Sequence, residues 1–165
     1  MAAICASEDM DEVKCKKKEG SMYEEWRVLH IDENKEESVA FCRALEQNQF
    51  AGQCNTVRSI PEGRAWLEES EYAPHVRARP DIVILNWHTE RDDEVLDLTR
   101  WMRAQPQFRE TPLIVWVGSE TPARIREIAH GAGVTELLNK SAEVSELVEQ
   151  VGELLQRCTS RCVAR

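Results

Sequence analysis

Residues 80–86 read PDIVILN and residues 112–118 read PLIVWVG. Between the opening proline and the polar or glycine close, IVIL and LIVWV show no polar alternation. A strand with one wet face alternates, so a run that is apolar on both sides describes a strand covered on both faces, as in a parallel sheet clad by helices. Working outward, Arg27–Ile31 (RVLHI), Cys54–Arg58 and Glu136–Asn139 have similar lengths and β-forming content. Five strands are therefore expected.

The intervals carry helical spacing instead. Val39, Cys42 and Leu45 mark the first, Trp66 and Leu67 the second, and Val95, Leu98 and Met102 the third. Ile125, Ile128 and Ala129 mark a fourth, and Val144, Leu147, Val148, Val151, Leu154 and Leu155 form an i, i+3, i+4, i+7 stripe in the fifth. Boundary residues agree: Thr121 with Pro122 reads as an N-cap followed by proline at the first helical position, Ser141 caps the last helix, and Gly131 and Gly133 suit the end of the fourth. Strand and helix alternate through 26–157, which predicts an α/β fold, a doubly wound (βα)5 parallel sheet with helices on both faces. Residues 1–25 are rich in charge, with Lys14, Lys16, Lys17 and Lys18 among acidic neighbours, and read as a flexible tail. Residues 158–165 form a short second tail.

Composition bounds the function. At 165 residues, 42% hydrophobic and 31% charged, the chain is sized for one globular domain of roughly 100–200 residues. With 21 Lys and Arg against 30 Asp and Glu, its formal charge of −9 repels phosphate backbones and anionic lipid, which argues against direct nucleic-acid or membrane binding. Neither a membrane-length apolar run nor a secretion signal is visible, so a cytoplasmic location is expected. The six cysteines lack a CxxC pair and read as reduced thiols, with Cys42 and Cys54 in apolar patterns. A zinc site from Cys158, Cys162 and the N-terminal thiols is a poor fit to the usual ligand spacing.

Doubly wound sheets bind ligands beyond the carboxyl ends of their strands. The first strand ends in Asp32-Glu33, the third in Asn86, the fourth in Val117-Gly118-Ser119 and the fifth in Asn139-Lys140-Ser141. This constellation, in this order, resembles the response-regulator receiver domain of two-component phosphorelays over residues 26–157. The long entry APHVRARPDIVILN is similar to single-domain regulators that partner phytochrome-type kinases. The resemblance implies a flavodoxin-like fold of the chemotaxis-regulator kind. It also implies an acidic pair that holds Mg²⁺, a phosphorylated Asp after the third strand, a hydroxyl after the fourth and a Lys after the fifth.

Asp32 and Glu33 match the acidic pair and Lys140 the lysine. Asn86 takes the phosphoacceptor position, Val117 the hydroxyl position, Leu137 the position of a switching aromatic, and Ser141 that of the proline after the lysine. The backbone of His88 falls where the family offers a metal ligand, although the residue itself reads as part of a loop rather than as a ligand. A neutral carboxamide is a poor nucleophile toward phosphorus, and Val117 donates no hydrogen bond. Two carboxylates and an amide oxygen bring one charge fewer to Mg²⁺, so either weak Mg²⁺ binding or a structural cluster of Asp32, Glu33 and Lys140 is expected. Asp92, Asp93 and Glu94 are explained by helix capping rather than as substitute acceptors. His30, Trp66 and Trp116 read as packed residues, and Trp87 as a rim residue.

The expected function is a degenerate receiver, not an enzyme, acting in phosphorelay signalling by phosphorylation-independent binding. Its partner would be a sensor kinase or another regulator, docked on the fourth helix, fifth strand and fifth helix; a homodimer is compatible with the same pattern. The alternatives are Mg²⁺-dependent phosphotransfer through a non-standard acceptor, and a flavodoxin-like ligand binder, which lacks a Gly-rich phosphate cradle after the first strand.

Overall fold

The computed structural model describes residues 3–6, 11–15, 26–48, 52–75, 77–87, 92–118 and 120–140, and further along 146, 149, 150, 152–154, 156 and 157. In chain order the elements are β1 (Ala3–Ala6), β2 (Asp11–Cys15), β3 (Trp26–Ile31), α1 (Lys35–Gln47), β4 (Gly52–Val57), α2 (Ile60–Tyr72), β5 (Ile82–Asn86), α3 (Asp92–Ala104), β6 (Leu113–Val117), α4 (Ala123–Ala132) and β7 (Glu136–Asn139). They build one sheet in the order β1-β2-β4-β3-β5-β6-β7. The five strands from β3 to β7 run parallel, in the flavodoxin-like arrangement.

Alternation along these strands divides the core in two. Leu29, Ile31, Val83, Leu85, Leu113, Val115 and Val117 pack toward α2, α3 and α4 with Trp66, Leu98, Met102 and Phe108. Val28, Cys54, Ile82, Ile84, Ile114 and Trp116 pack on the other face against Phe41, Cys42 and Leu45 of α1 and against Leu154. Every residue of β5 and β6 is buried, which is why neither run alternates. Each large apolar side chain so buried stabilises the fold by roughly 1.5–3 kcal/mol. At the opening of the sheet, Asp81 accepts hydrogen bonds from the Arg27 backbone N–H at 2.9 Å and its guanidinium at 3.1 Å, tying the start of β3 to that of β5.

Caps set the helix starts. Asn34 accepts from the N–H groups of Glu36 and Glu37 at the head of α1, and Ser59 from that of Glu62 at the head of α2. Asp92, Asp93 and Glu94 occupy the first turn of α3, where the helix dipole favours them. α4 ends on Gly133 at φ 108°, a left-handed conformation suited to glycine.

Three expectations are corrected. Residues 1–25 are not wholly a tail: β1 and β2 form an antiparallel hairpin, and β2 pairs antiparallel with β4. The outer strand β1 is the uncharged AICA, and the charged β2 (DEVKC) lies inside it in the sheet order, so charge density alone is a poor sign of a disordered stretch here. Trp87 is not at the rim; it is 4% exposed, and its indole N–H donates to Asp92 Oδ1 at 2.6 Å. Thr121 does not cap α4, because the cap position is Pro122 and carries no side-chain hydrogen bond. The Thr121 N–H instead donates to Gly118 O at 3.1 Å in a turn, and the residue is buried. Most of the stripe from Val144 to Leu155, the Ser141 cap and residues 158–165 lie outside the described residues.

Candidate functional site

The chain leaves β3 to α1 and β4 on one side, then crosses to β5 on the other, so the strand order reverses at β3. The crevice beyond the carboxyl ends of β3 and β5 is the switch point at which such sheets hold ligands. Asp32 follows β3 directly, Asn86 closes β5, and Lys140 follows β7. A cavity of about 20 Å³ opens here, lined by Asp32, Glu33, Asn86, Arg58, Ser59 and Ile60 among others. That is room for about one water molecule or small ion.

Asn86 is 6% exposed. Its Nδ2 donates to Asp32 Oδ1 at 3.0 Å and to Glu37 Oε2 at 2.6 Å. This fixes the amide orientation, since a flipped amide would set its oxygen against two carboxylates. Asp32 Oδ1 also accepts from the Asn34 N–H at 2.8 Å. Lys140 forms an ion pair with Glu37 Oε2, while Glu37 Oε1 accepts from Asn34 Nδ2 at 3.1 Å. Asp32, Asn86 and Lys140 are thus joined through Glu37, a residue the sequence reading did not single out. Its signal was present: Asn34 with an acid three residues on is a capping-box spacing. Read that way, however, Glu37 belongs to the helix start and not to the crevice.

Burial raises the Asp32 carboxyl above the ordinary range, and hydrogen bonds from Asn86 and Asn34 pull the other way. Under the pocket, His30 is fully buried against Phe41, with ring centroids 4.4 Å apart. Desolvation lowers its pKa to about 3, and nearby Lys140 adds to the shift. The 3.8 Å approach of its Nε2 to Asp32 Oδ2 is therefore not an ion pair near neutrality, because the imidazole is neutral.

The other sequence candidates fall around this core. Val117 is fully buried at the end of β6, and its carbonyl accepts from the Lys140 N–H at 2.8 Å. Leu137 is half-buried in β7 and packs on the core beneath α4. Trp116 and Trp66 are core residues, and Cys42 and Cys54 are buried. His88, Ser119 and Ser141 lie outside the described residues.

The fit of a divalent ion can be tested on the side chains. Asn86 Oδ1 is buried without a hydrogen-bond partner, and the cavity it shares with Asp32 and Glu33 supplies hard oxygens. That donor set fits Mg²⁺ or Mn²⁺, with one negative charge fewer than three carboxylates would give. Among the described residues no group of three His, Cys, Asp or Glu side chains is placed to hold a metal, so the amide oxygen would be needed.

Fold and crevice together define the chain's structural class, the receiver fold of response regulators. The phosphorylated cyanobacterial phytochrome response regulator RcpA matches at a TM-score of 0.69 and 21% identity, over 82% of this chain and 96% of that one. Response regulator RPA3017 of R. palustris red-light signalling matches at 0.67 and 18%, over 78% and 90%. The receiver domain of sensor histidine kinase PA1611 from Pseudomonas aeruginosa, solved with magnesium in its active-site cleft, matches at 0.59 and 19%, over 81% and 97%. No protein-family model matches the sequence, and no curated protein matches it.

Proposed function

We propose that this protein is a receiver-fold signalling module of two-component or related pathways that acts by binding a partner protein, without phosphorylation at position 86 and without catalysing a reaction. The observation that carries this reading is the environment of Asn86. Transfer of a phosphoryl group needs an anionic oxygen in line with phosphorus. Here the atom on the Lys140 side of residue 86 is an N–H donor engaged by two carboxylates. A partner must then recognise a surface already formed. Asp32, Glu33 and the Asn86 oxygen would hold a divalent ion if one binds, and its contribution would be to offset the crowded carboxylates. No helix among the described residues is long and apolar enough to cross a membrane.

The proposed docking face is α4, β7 and the helical segment that follows. On α4, Arg124 and Glu127 are exposed while Ala129 is buried. Binding to a sensor-kinase dimerisation domain, measured by calorimetry, should be the same with and without acetyl phosphate and Mg²⁺. Arg124→Glu and Glu127→Lys should each weaken it about 3- to 10-fold, the scale of losing one or two rim charges. Affinity that rises only after acetyl phosphate treatment would contradict the proposal, and binding untouched by both substitutions would remove α4 from the face.

A further inference from the structure

Glu37 carries three polar contacts that meet at the mouth of the crevice. Oε1 accepts from Asn34 Nδ2 at 3.1 Å. Oε2 accepts from Asn86 Nδ2 at 2.6 Å and pairs with the Lys140 ammonium. The circuit closes through Asp32, whose Oδ1 takes both the Asn34 N–H and the second Asn86 proton. One carboxylate in the first turn of α1 therefore links the ends of β3, β5 and β7.

The same contacts decide what else the crevice can receive. Lys140 is the cation paired across the pocket mouth, and Asn86 Nδ2 is the donor beside it. An anion using these two donors would have to displace Glu37, which holds both with a single oxygen. Asp32 also accepts from Asn86 Nδ2 and lines the cavity with Glu33, so an anion displacing Glu37 would meet two further carboxylates.

We propose that Glu37 is a built-in anionic partner for Lys140 and the Asn86 amide, which keeps external anions from these two donors. The crevice then has one standing conformation, with the head of α1 latched to the end of β7. This rests on the side-chain geometry alone and holds whatever partner the protein has.

The test is the reactivity of Lys140 in the full-length chain. The side chains of Lys140 and Glu37 are 28% and 36% exposed, so a small acylating ester reaches the Lys140 amine, and its engagement by Glu37 slows the reaction. Lys140 acylation is followed by peptide mass spectrometry, with Lys35 as internal reference. Glu37→Gln keeps size and removes the charge, and should speed Lys140 labelling about 3- to 10-fold, the range set by loss of a partly exposed ion pair. Inorganic phosphate should leave the rate in the parent unchanged. Glu37→Asp, which keeps the charge but shortens the arm, should also release Lys140, and it decides the matter if the Gln variant labels at every lysine as an unfolded chain would. A Lys140 rate in these variants equal to that of the parent, or phosphate protection of Lys140 in the parent, would overturn the proposal.

Discussion

At position 86 an amide nitrogen replaces an oxygen and changes the sign of what the pocket offers. Asn86→Asp would set a third carboxylate within hydrogen-bond distance of Asp32 and Glu37 and remove both donated hydrogen bonds. That variant should be less stable by about 2 kcal/mol near neutral pH. Mg²⁺ should restore part of the loss, visible as a rise in melting temperature larger than in the parent.

His30 gives a second prediction at this scale. Its folded pKa of about 3 lies below the unfolded value of 6.5, so the unfolded chain takes up the proton first. Stability is unaffected above pH 6.5 and falls as pH drops from there toward 3. Between pH 6.5 and 5 the loss approaches about 2 kcal/mol. Asp32 works in the opposite sense. Its raised pKa penalises the fold above that pKa, and the penalty fades as pH falls through it toward 3.8. Urea melts of the parent and His30→Leu at pH 7 and pH 5 separate the two, because only the parent should lose the His30 increment. Parallel pH profiles for the two proteins would show that the buried imidazole is not the titrating group.

At the scale of elements, Arg103 joins α3 to the far end of α4. Its guanidinium donates to the carbonyls of Gly133 at 2.8 Å, Phe108 at 3.2 Å, Arg109 at 3.0 Å and Thr111 at 2.8 Å, and to Thr135 Oγ1 at 3.1 Å. Thr135 Oγ1 also accepts from the Leu113 N–H at 2.9 Å, which carries the connection into β6. A planar fork of five N–H donors suits this cluster, and an ammonium has neither the shape nor the number. Arg103→Lys should cost about 2–3 kcal/mol in denaturant melts, from carbonyls left short of donors. A loss below half a kilocalorie per mole would mean that water replaces the guanidinium there. Gly133 belongs to the same junction: its φ is 108°, and an added Cβ would lie 2.8 Å from Arg103 Cγ, so side chains are excluded on two grounds.

Over the whole molecule, the parallel sheet was legible because β5 and β6 are buried on both faces and their sequences therefore lack alternation. The order of acidic pair, Asn86 and Lys140 was legible because a doubly wound fold brings strand ends together whatever lies between them. The β1–β2 hairpin was missed because β1 (AICA) is only four residues long and β2 (DEVKC) is dominated by charge, so neither shows a strand's apolar run. Trp87 was misplaced because the chain after a strand usually leaves the core, whereas Asp92 at the head of α3 receives its indole N–H. Glu37 was missed because a first-turn acid has an adequate local explanation, and only the approach of β5 and β7 gives it two more partners.

The central claim is that residue 86 has left phosphotransfer while the surrounding crevice keeps a defined arrangement. It is tested most directly by intact-mass analysis of the parent and Asn86→Asp after incubation with acetyl phosphate and Mg²⁺. The parent should retain its mass, whereas Asn86→Asp, measured alone and with Glu37→Gln to free Lys140, should gain one phosphoryl group in the double variant. A phosphoryl group on the parent, at any carboxylate near Asn86, would contradict the claim.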